Sequence, residues 1–388
     1  MQNALISTYT LPYLRLILKF LPQGSRIWLC TLSPVDQQNS PEHEALRQKL
    51  YNENIIVADY TYSGFGFRMA LRFVGILWDL SGILHRHKID KIHAWCTPGG
   101  AIGWILSHFS GKPLVLDSFE PHAESMTEAG IWKREGLAFK LLLWLEKKQL
   151  QRAEHVICAA PGMENYALKT YGIQRPFPFV KPASVNLEHF YIRHSISRQA
   201  LPGISDGDIV CVYAGKFGGI YLEEETFHFF AVAAKFWPQK FRVLLLTSHS
   251  EQEIVNYCRQ AGLDRRLLVR YYVPHEQVPR YMSLGNFGIC PVKPIPTKKY
   301  CSPIKNGEYW ALGLPVVITE GISTDSKIIE ENNAGFVLRD FTASVYERAL
   351  VRISAILDEP GHQERIRELA VRYRNINMAE DIYRAIYA

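Results

Sequence analysis

Short apolar runs recur along the whole chain, each followed by a stretch with the spacing of an amphipathic helix, and this alternation restricts the fold more than any other feature. Candidate strands fall at 26–30, 91–95, 113–116 and 155–159 in the first half. Others fall at 209–213, 241–246, 267–269, 287–290 and 315–318 in the second. Runs this short and this apolar are covered on both faces, and alternation with helices joins parallel neighbours, so the chain reads as open α/β sheets. At roughly 100 to 200 residues per domain, 388 residues hold two such cores. A poorly periodic stretch containing Pro202 and Gly203 divides them. The expected organisation is a first domain at 1–190, a linker at 191–207 and a second domain at 208–365. A helical segment at 366–388, with Ile366, Leu369, Ala370 and Tyr373 on one face, packs back toward the first domain. Ligands of such sheets bind beyond the carboxyl ends of the strands, so the cleft between the domains is the expected site.

Lys and Arg total 44 against 38 Asp and Glu, a net +6 spread along the length. That is too diffuse for a nucleic-acid binder and suits an anionic small ligand or an acidic membrane surface. Seven cysteines make an odd count with no CxxC pair, which argues against a disulfide framework or a zinc site and for a reducing compartment. The apolar stretch 11–21 is too short to span a membrane and is interrupted by Arg15 and Lys19. Leu14, Ile17, Leu18 and Leu21 share one helical face, which fits either a core-packed first helix or a helix lying on a membrane surface.

The stretch SPIKNGEYWALGLPVVI at 302–318 is the most informative. Ser302 suits an N-cap, Pro303 the first turn, and Gly313 a left-handed helix end. Lys305 in the first turn opposes the helix dipole, so an anion is expected there, held by free amides and the ammonium together. Glu308 lies one turn on, placed to accept hydrogen bonds from sugar hydroxyls. A glycine turn, AGKFGG at 214–219, follows a strand: Gly215 and Gly218 allow close backbone approach and Lys216 adds charge. Its spacing matches neither GxGxxG nor a P-loop, and Glu223, Glu224 and Glu225 make the next helix start a poor anion site. In the first half, PLVLDSFEPHAESM at 113–126 runs from a strand into Asp117, Glu120, His122 and Glu124, with Glu128 beyond. These are candidates for acid–base work or for binding substrate hydroxyls, chiefly Glu120 and His122. His122-Ala123-Glu124 resembles the start of a zinc-deaminase signature whose PCxxC partner is missing.

These segments reach a known pattern. SPIKNGEYWALGLPVV resembles the donor-binding segment of family-4 glycosyltransferases, and YAGKFGGIYLEEE is similar to that family's first glycine loop in the second domain. AEHVICAAPGMENYALKTYG and VKPASVNLEHF resemble the end of its first domain and the passage to the linker. The resemblance implies the GT-B fold, with two facing Rossmann-like domains, parallel sheets and a central cleft. It further implies retaining transfer of a hexose-type sugar from a UDP- or GDP-sugar co-substrate to a glycan, lipid-linked or small-molecule acceptor in cell-surface polysaccharide biosynthesis. No metal or other cofactor is required on this reading. The expected location is cytoplasmic, with the inner membrane face as a candidate partner surface. Carried onto this sequence, the donor site comprises Gly215, Lys216, Gly218, Ser302, Pro303, Ile304, Lys305 and Glu308. Lys305 contacts the diphosphate, Glu308 binds the ribose, and His122 and Glu120 are the catalytic candidates. The family's E-x7-E pattern would place its first glutamate at position 300, where this chain has Tyr300 preceded by Lys298 and Lys299. A nucleotide-sugar epimerase of the same fold and a non-catalytic nucleotide-sugar-binding protein are the competing readings.

Overall fold

The computed structural model describes residues 6–33, 41–61, 67–191, 198 and 201–388. Much of the expected linker therefore lies outside the described residues. All strand pairings in the named sheets are parallel. In the second half, β7 (Ile209–Ala214), β8 (Phe241–Leu246), β9 (Leu268–Tyr271), β10 (Phe287–Cys290), β11 (Val316–Thr319) and β12 (Gly335–Leu338) form one sheet in the order β12-β11-β10-β7-β8-β9. This is the doubly wound order, and its direction reverses between β7 and β10. Alternation puts Val210 and Val212 in one core, with Trp310 and Leu314, and Cys211 and Tyr213 in the other, with Phe227 and Phe230. Both faces are thus covered by helices, which explains the unbroken apolar runs.

The first half contains β1 (Ile27–Ser33) paired with β2 (Ile55–Thr61), and a second sheet in the order β3 (Ile92–Trp95), β4 (Leu114–Phe119), β5 (His155–Cys158), β6 (Phe179–Val180). All six residues of β4 are buried. Among the described residues β1 and β3 are not paired, and a cavity of about 970 Å3 lies between them, lined by aliphatic side chains such as Leu29, Ile83 and Ile92. Strands β2, β6 and β12 were not expected from the sequence. All three lie at sheet edges and are short or only partly apolar, as in Ile55–Thr61, whose apolar start gives way to Asp59, Tyr60 and Thr61.

Helix Leu11–Leu18 packs Leu11, Tyr13, Leu14, Leu16 and Ile17 into a core shared with Ala379, Tyr383 and Ile386. Arg15 points out and pairs with Glu53 at 2.7 Å. The core-packed reading of this segment therefore holds and its membrane reading is corrected: the apolar face is already covered. No described helix is long and apolar enough to cross a membrane.

The end of the chain forms two helices, not one. His362–Tyr373 buries Ile366, Leu369 and Ala370 against the second sheet's core, and Met378–Tyr387 buries Ala379, Tyr383 and Ile386 against the first. Arg374, 1% exposed, sits where the chain crosses between them. Its guanidinium donates to Asp325, to the Ser302 hydroxyl and to the Ala183 carbonyl, while Asn306 donates to the other oxygen of Asp325. Gly307 is required beneath it, because a Cβ there would stand 2.8 Å from Val185 and 3.1 Å from the Arg374 stem. Removing one partner of a buried ion pair strands the other charge at a cost of about 3–5 kcal/mol. Arg374→Ala should lower the unfolding free energy in urea by that amount, whereas Arg374→Met with Asp325→Leu should lose much less.

Candidate active site

Two loops flank the point where the second sheet reverses direction. One, 215–219, leaves the carboxyl end of β7, and the other, 291–303, leaves that of β10 and leads into helix Ile304–Ala311. Gly215 has φ +150, and a Cβ there would lie 2.7 Å from Cε and 3.0 Å from Nζ of Lys305. Glycine at this position lets the lysine stem cross the loop. The two residues singled out separately in the sequence therefore make one feature.

The Lys305 ammonium is partly buried. It lies 4.1 Å above the Tyr221 ring, with the Tyr213 ring at 5.7 Å. Among the described residues no carboxylate stands within ion-pair distance of it. A buried cation with only ring faces and a phenol around it is under-compensated. Three features converge on the space in front of it: the ammonium, the unbonded amides of the first helical turn and the glycine loop. Helix Ile304–Ala311 has Pro303 as its N-cap, with no side-chain cap. Ser302 is thus not the cap expected from the sequence. Its hydroxyl instead accepts from the Ala183 amide at 2.9 Å and from Arg374, which leaves the helix end free for a ligand. Gly313 does adopt the expected left-handed conformation, with φ +71.

Glu308 is 6% exposed, and its Oε1 lies 3.5 Å from His275 Nε2. Lys216 is exposed, and its carbonyl accepts from the Tyr213 hydroxyl at 2.6 Å. The Phe217 amide donates to His249 Nε2 at 2.9 Å, which fixes the turn. Gly218 has φ +81 and sits against the Glu223 carboxylate. Ile304 opens the helix.

Across the cleft, β4 ends in a register break with Ser118 at φ +52. The break separates the titratable cluster. Asp117 turns inward, where Lys181 stands at 3.0 Å and the Tyr383 hydroxyl donates at 2.7 Å. Burial alone would raise its pKa, but Lys181 and His93 hold the carboxylate well below the usual range. Asp117 is therefore not part of the site. Glu124 accepts from the Tyr166 hydroxyl, and Glu128 from the amide and hydroxyl of Thr297 at 2.9 and 2.6 Å. Glu120 and His122 remain at the cleft, both facing Lys298. Burial raises the Glu120 carboxyl while Lys298 opposes it; burial and then Lys298 lower the His122 pKa. Both effects favour uncharged side chains.

The turn Pro296–Tyr300 crosses the cleft. Lys298 Nζ donates to Ser125 Oγ at 2.8 Å, and Tyr300 packs its ring 5.3 Å from Tyr166 in the first half. Tyr300 thus packs into the core of the first half. Sequence reasoning missed three supports. His275 and His249 sit in loops with no local signal. Glu146 is fully buried on helix Leu137–Arg152, accepts from the His122 and Ala123 amides at 2.9 Å each, and thereby caps the His122 helix. A glutamate on the buried face of that helix, beside Phe139 and Gln149, was the available clue.

Two facing α/β halves with parallel sheets and a cleft between them define the GT-B class of fold. Residues 23–188 match the family model Glycosyltransferase Family 4. Alpha-maltose-1-phosphate synthase of Mycolicibacterium smegmatis is 25% identical over 214 residues, 51% of this chain and 52% of that protein, so the chain spans about half the length of the curated relative it matches. Two solved structures share the fold. Sucrose-phosphate synthase from Thermosynechococcus elongatus has a TM-score of 0.66 at 15% identity, covering 93% of this chain and 99% of that one. Anabaena HepE in complex with UDP and glucose has 0.65 at 14%, with the same coverages.

Burial raises the Glu146 carboxyl to about 7, against the opposing pull of its hydrogen bonds. A raised carboxyl stabilises the fold below the ordinary glutamate value and loses that contribution as pH climbs through about 7. Unfolding free energy should therefore decline by about 3 kcal/mol between pH 4.5 and 8 on this account. Glu146→Gln should remove that slope in urea titrations across the range; an unchanged slope would refute the assignment.

Proposed function

We propose that the chain is a retaining glycosyltransferase that takes a hexose-type sugar from a UDP- or GDP-sugar. The observation that carries this reading is Lys305, a partly buried ammonium with no carboxylate beside it among the described residues, lying over Gly215 at the free end of helix Ile304–Ala311. A diphosphate supplies the missing negative charge. Its oxygens take the helix amides and Lys305, with Lys216 at the rim. Glu308, next to His275, accepts from the ribose hydroxyls. Anabaena HepE, whose structure holds UDP and glucose, has the same fold.

Catalysis on this reading is electrostatic. As the glycosidic bond to the diphosphate breaks, charge develops on the departing oxygen, and fixed amides and cations already in place stabilise it. The protein cations serve where a divalent metal would. The acceptor lies in the first half, with Glu120 and His122 nearest the reacting carbon. Neutral His122 can receive the acceptor proton, and a protonated Glu120 can hydrogen-bond a sugar hydroxyl. The acceptor class is a glycan, a lipid-linked sugar or a small sugar, and the setting is cell-surface polysaccharide assembly at the cytoplasmic side of the membrane.

Lys305→Ala should weaken UDP or GDP binding in calorimetry roughly 10- to 100-fold, the size of a lost charge-assisted hydrogen bond. Glu308→Ala should weaken it about tenfold. Full affinity in both variants would remove the donor-site assignment. His122→Ala should reduce turnover with donor affinity kept; if turnover is unchanged, His122 is structural.

A further inference from the structure

Helix Leu137–Arg152 is apolar on the wrong side as well as the right one. Its inner face buries Phe139, Gln149 and Leu150. Its outer face carries Leu137, 85% exposed, Leu141, 59% exposed, and Trp144, 46% exposed, at i, i+4 and i+7 spacing. A helix that merely covers a core has charged or polar residues on that stripe. Trp144 meets Trp104 of helix Cys96–Ser110 edge-on at 5.4 Å, and Phe109 at the end of that helix stands 83% exposed. Large apolar side chains left in water along one helix face mark a docking face.

The charges around the stripe identify the partner. Residues 131–152 contain six basic residues against two acidic ones, and one of the two, Glu146, is buried. Lys140 and Lys148 stand on the outer face itself, and Lys148 Nζ lies 5.9 Å above the Trp144 ring. Lys133 and Arg134 lie exposed in the loop that leads into the helix. Protein interfaces are depleted of lysine at their centre, and a symmetric contact with a second copy would set these lysines against one another. Aromatic and aliphatic side chains interleaved with lysines instead match the boundary of an anionic bilayer, where rings sit at headgroup depth and ammonium groups meet lipid phosphates.

We propose that this face docks the protein on an anionic phospholipid surface, with Phe109, Leu141 and Trp144 entering the headgroup layer and Lys140 and Lys148 pairing with its phosphates. The assignment does not depend on the glycosyltransferase reading. The two meet in one place: the loop before the helix carries Trp132, whose ring lies 6.3 Å from that of His122, so the docked face is one loop from the cleft.

The test is co-sedimentation of the full chain with phosphatidylcholine vesicles, with and without about one third phosphatidylglycerol. Binding to the anionic vesicles should exceed binding to the neutral ones by at least about tenfold and fall with salt. Phe109→Ser with Leu141→Ser and Trp144→Ser should reduce it by about tenfold or more. Lys140→Glu with Lys148→Glu, which touches no core contact, should do the same. Tyr272→Ser, an equally exposed aromatic of the second half, should leave binding unchanged. Absence of binding to anionic vesicles, or binding unaltered in both sets of variants, overturns the proposal. So does a dimer in light scattering that the serine variants dissociate without any vesicle binding, since the face would then join two copies.

Discussion

The buried guanidinium of Arg374 is the contact through which the two halves are held in register. It lies where the chain returns from the second half to the first, and it reaches the crossing segment at Ala183, the loop before helix Ile304–Ala311 at Ser302 and the second-half helix at Asp325. A charge this deep is tolerable only with its donors satisfied, so the segments cannot drift apart without exposing an uncompensated ion. The first half has a counterpart in Lys181, which lies 3.0 Å from Asp117 and 3.5 Å from the Tyr13 ring, with Tyr383 of the last helix bonded to the same carboxylate. Together the two pairs fix both ends of the crossing, and with them the width of the cleft.

That frame accounts for how charge is distributed at the site. Residues that must hold the fold have their full complement of partners: Asp117 has a lysine, Asp325 an arginine, and Glu128 the Thr297 amide and hydroxyl. Among the described residues, Lys305 faces aromatic rings and the phenol of Tyr221, and Glu120 and His122 share Lys298 as their cation. The turn Pro296–Tyr300 connects the two groups, because it leaves the second sheet near Lys305 and fastens on the helix that carries His122. Tyr300, where the family pattern would place a glutamate, takes part in this fastening through its ring contact with Tyr166.

Surface chemistry follows the same division. The sequence offered 11–21 as the amphipathic candidate for a membrane, yet its apolar face is covered by a helix more than 350 residues away in the chain. Amphipathicity reports that a face needs cover and says nothing about what covers it. Helix Leu137–Arg152 shows no strong amphipathic pattern because both of its faces are apolar, and for that reason its exposed stripe was invisible until burial was known.

The sequence by itself determined the parts that depend on near neighbours. Apolar runs set nine of the strands, the turn at Gly313 required a left-handed residue, and Lys305 was placed in a first helical turn. Tertiary structure decided what depends on distant partners. It drew Asp117 out of the titratable cluster, made Ser302 a ligand of Arg374 instead of a cap, placed Glu146 under the His122 helix, and laid Lys305 across Gly215. Backbone propensity and periodicity act over a few residues and can be read along the chain. A charge or a buried carboxylate takes its role from whichever group meets it in space, and those meetings exist only once the sheets have closed.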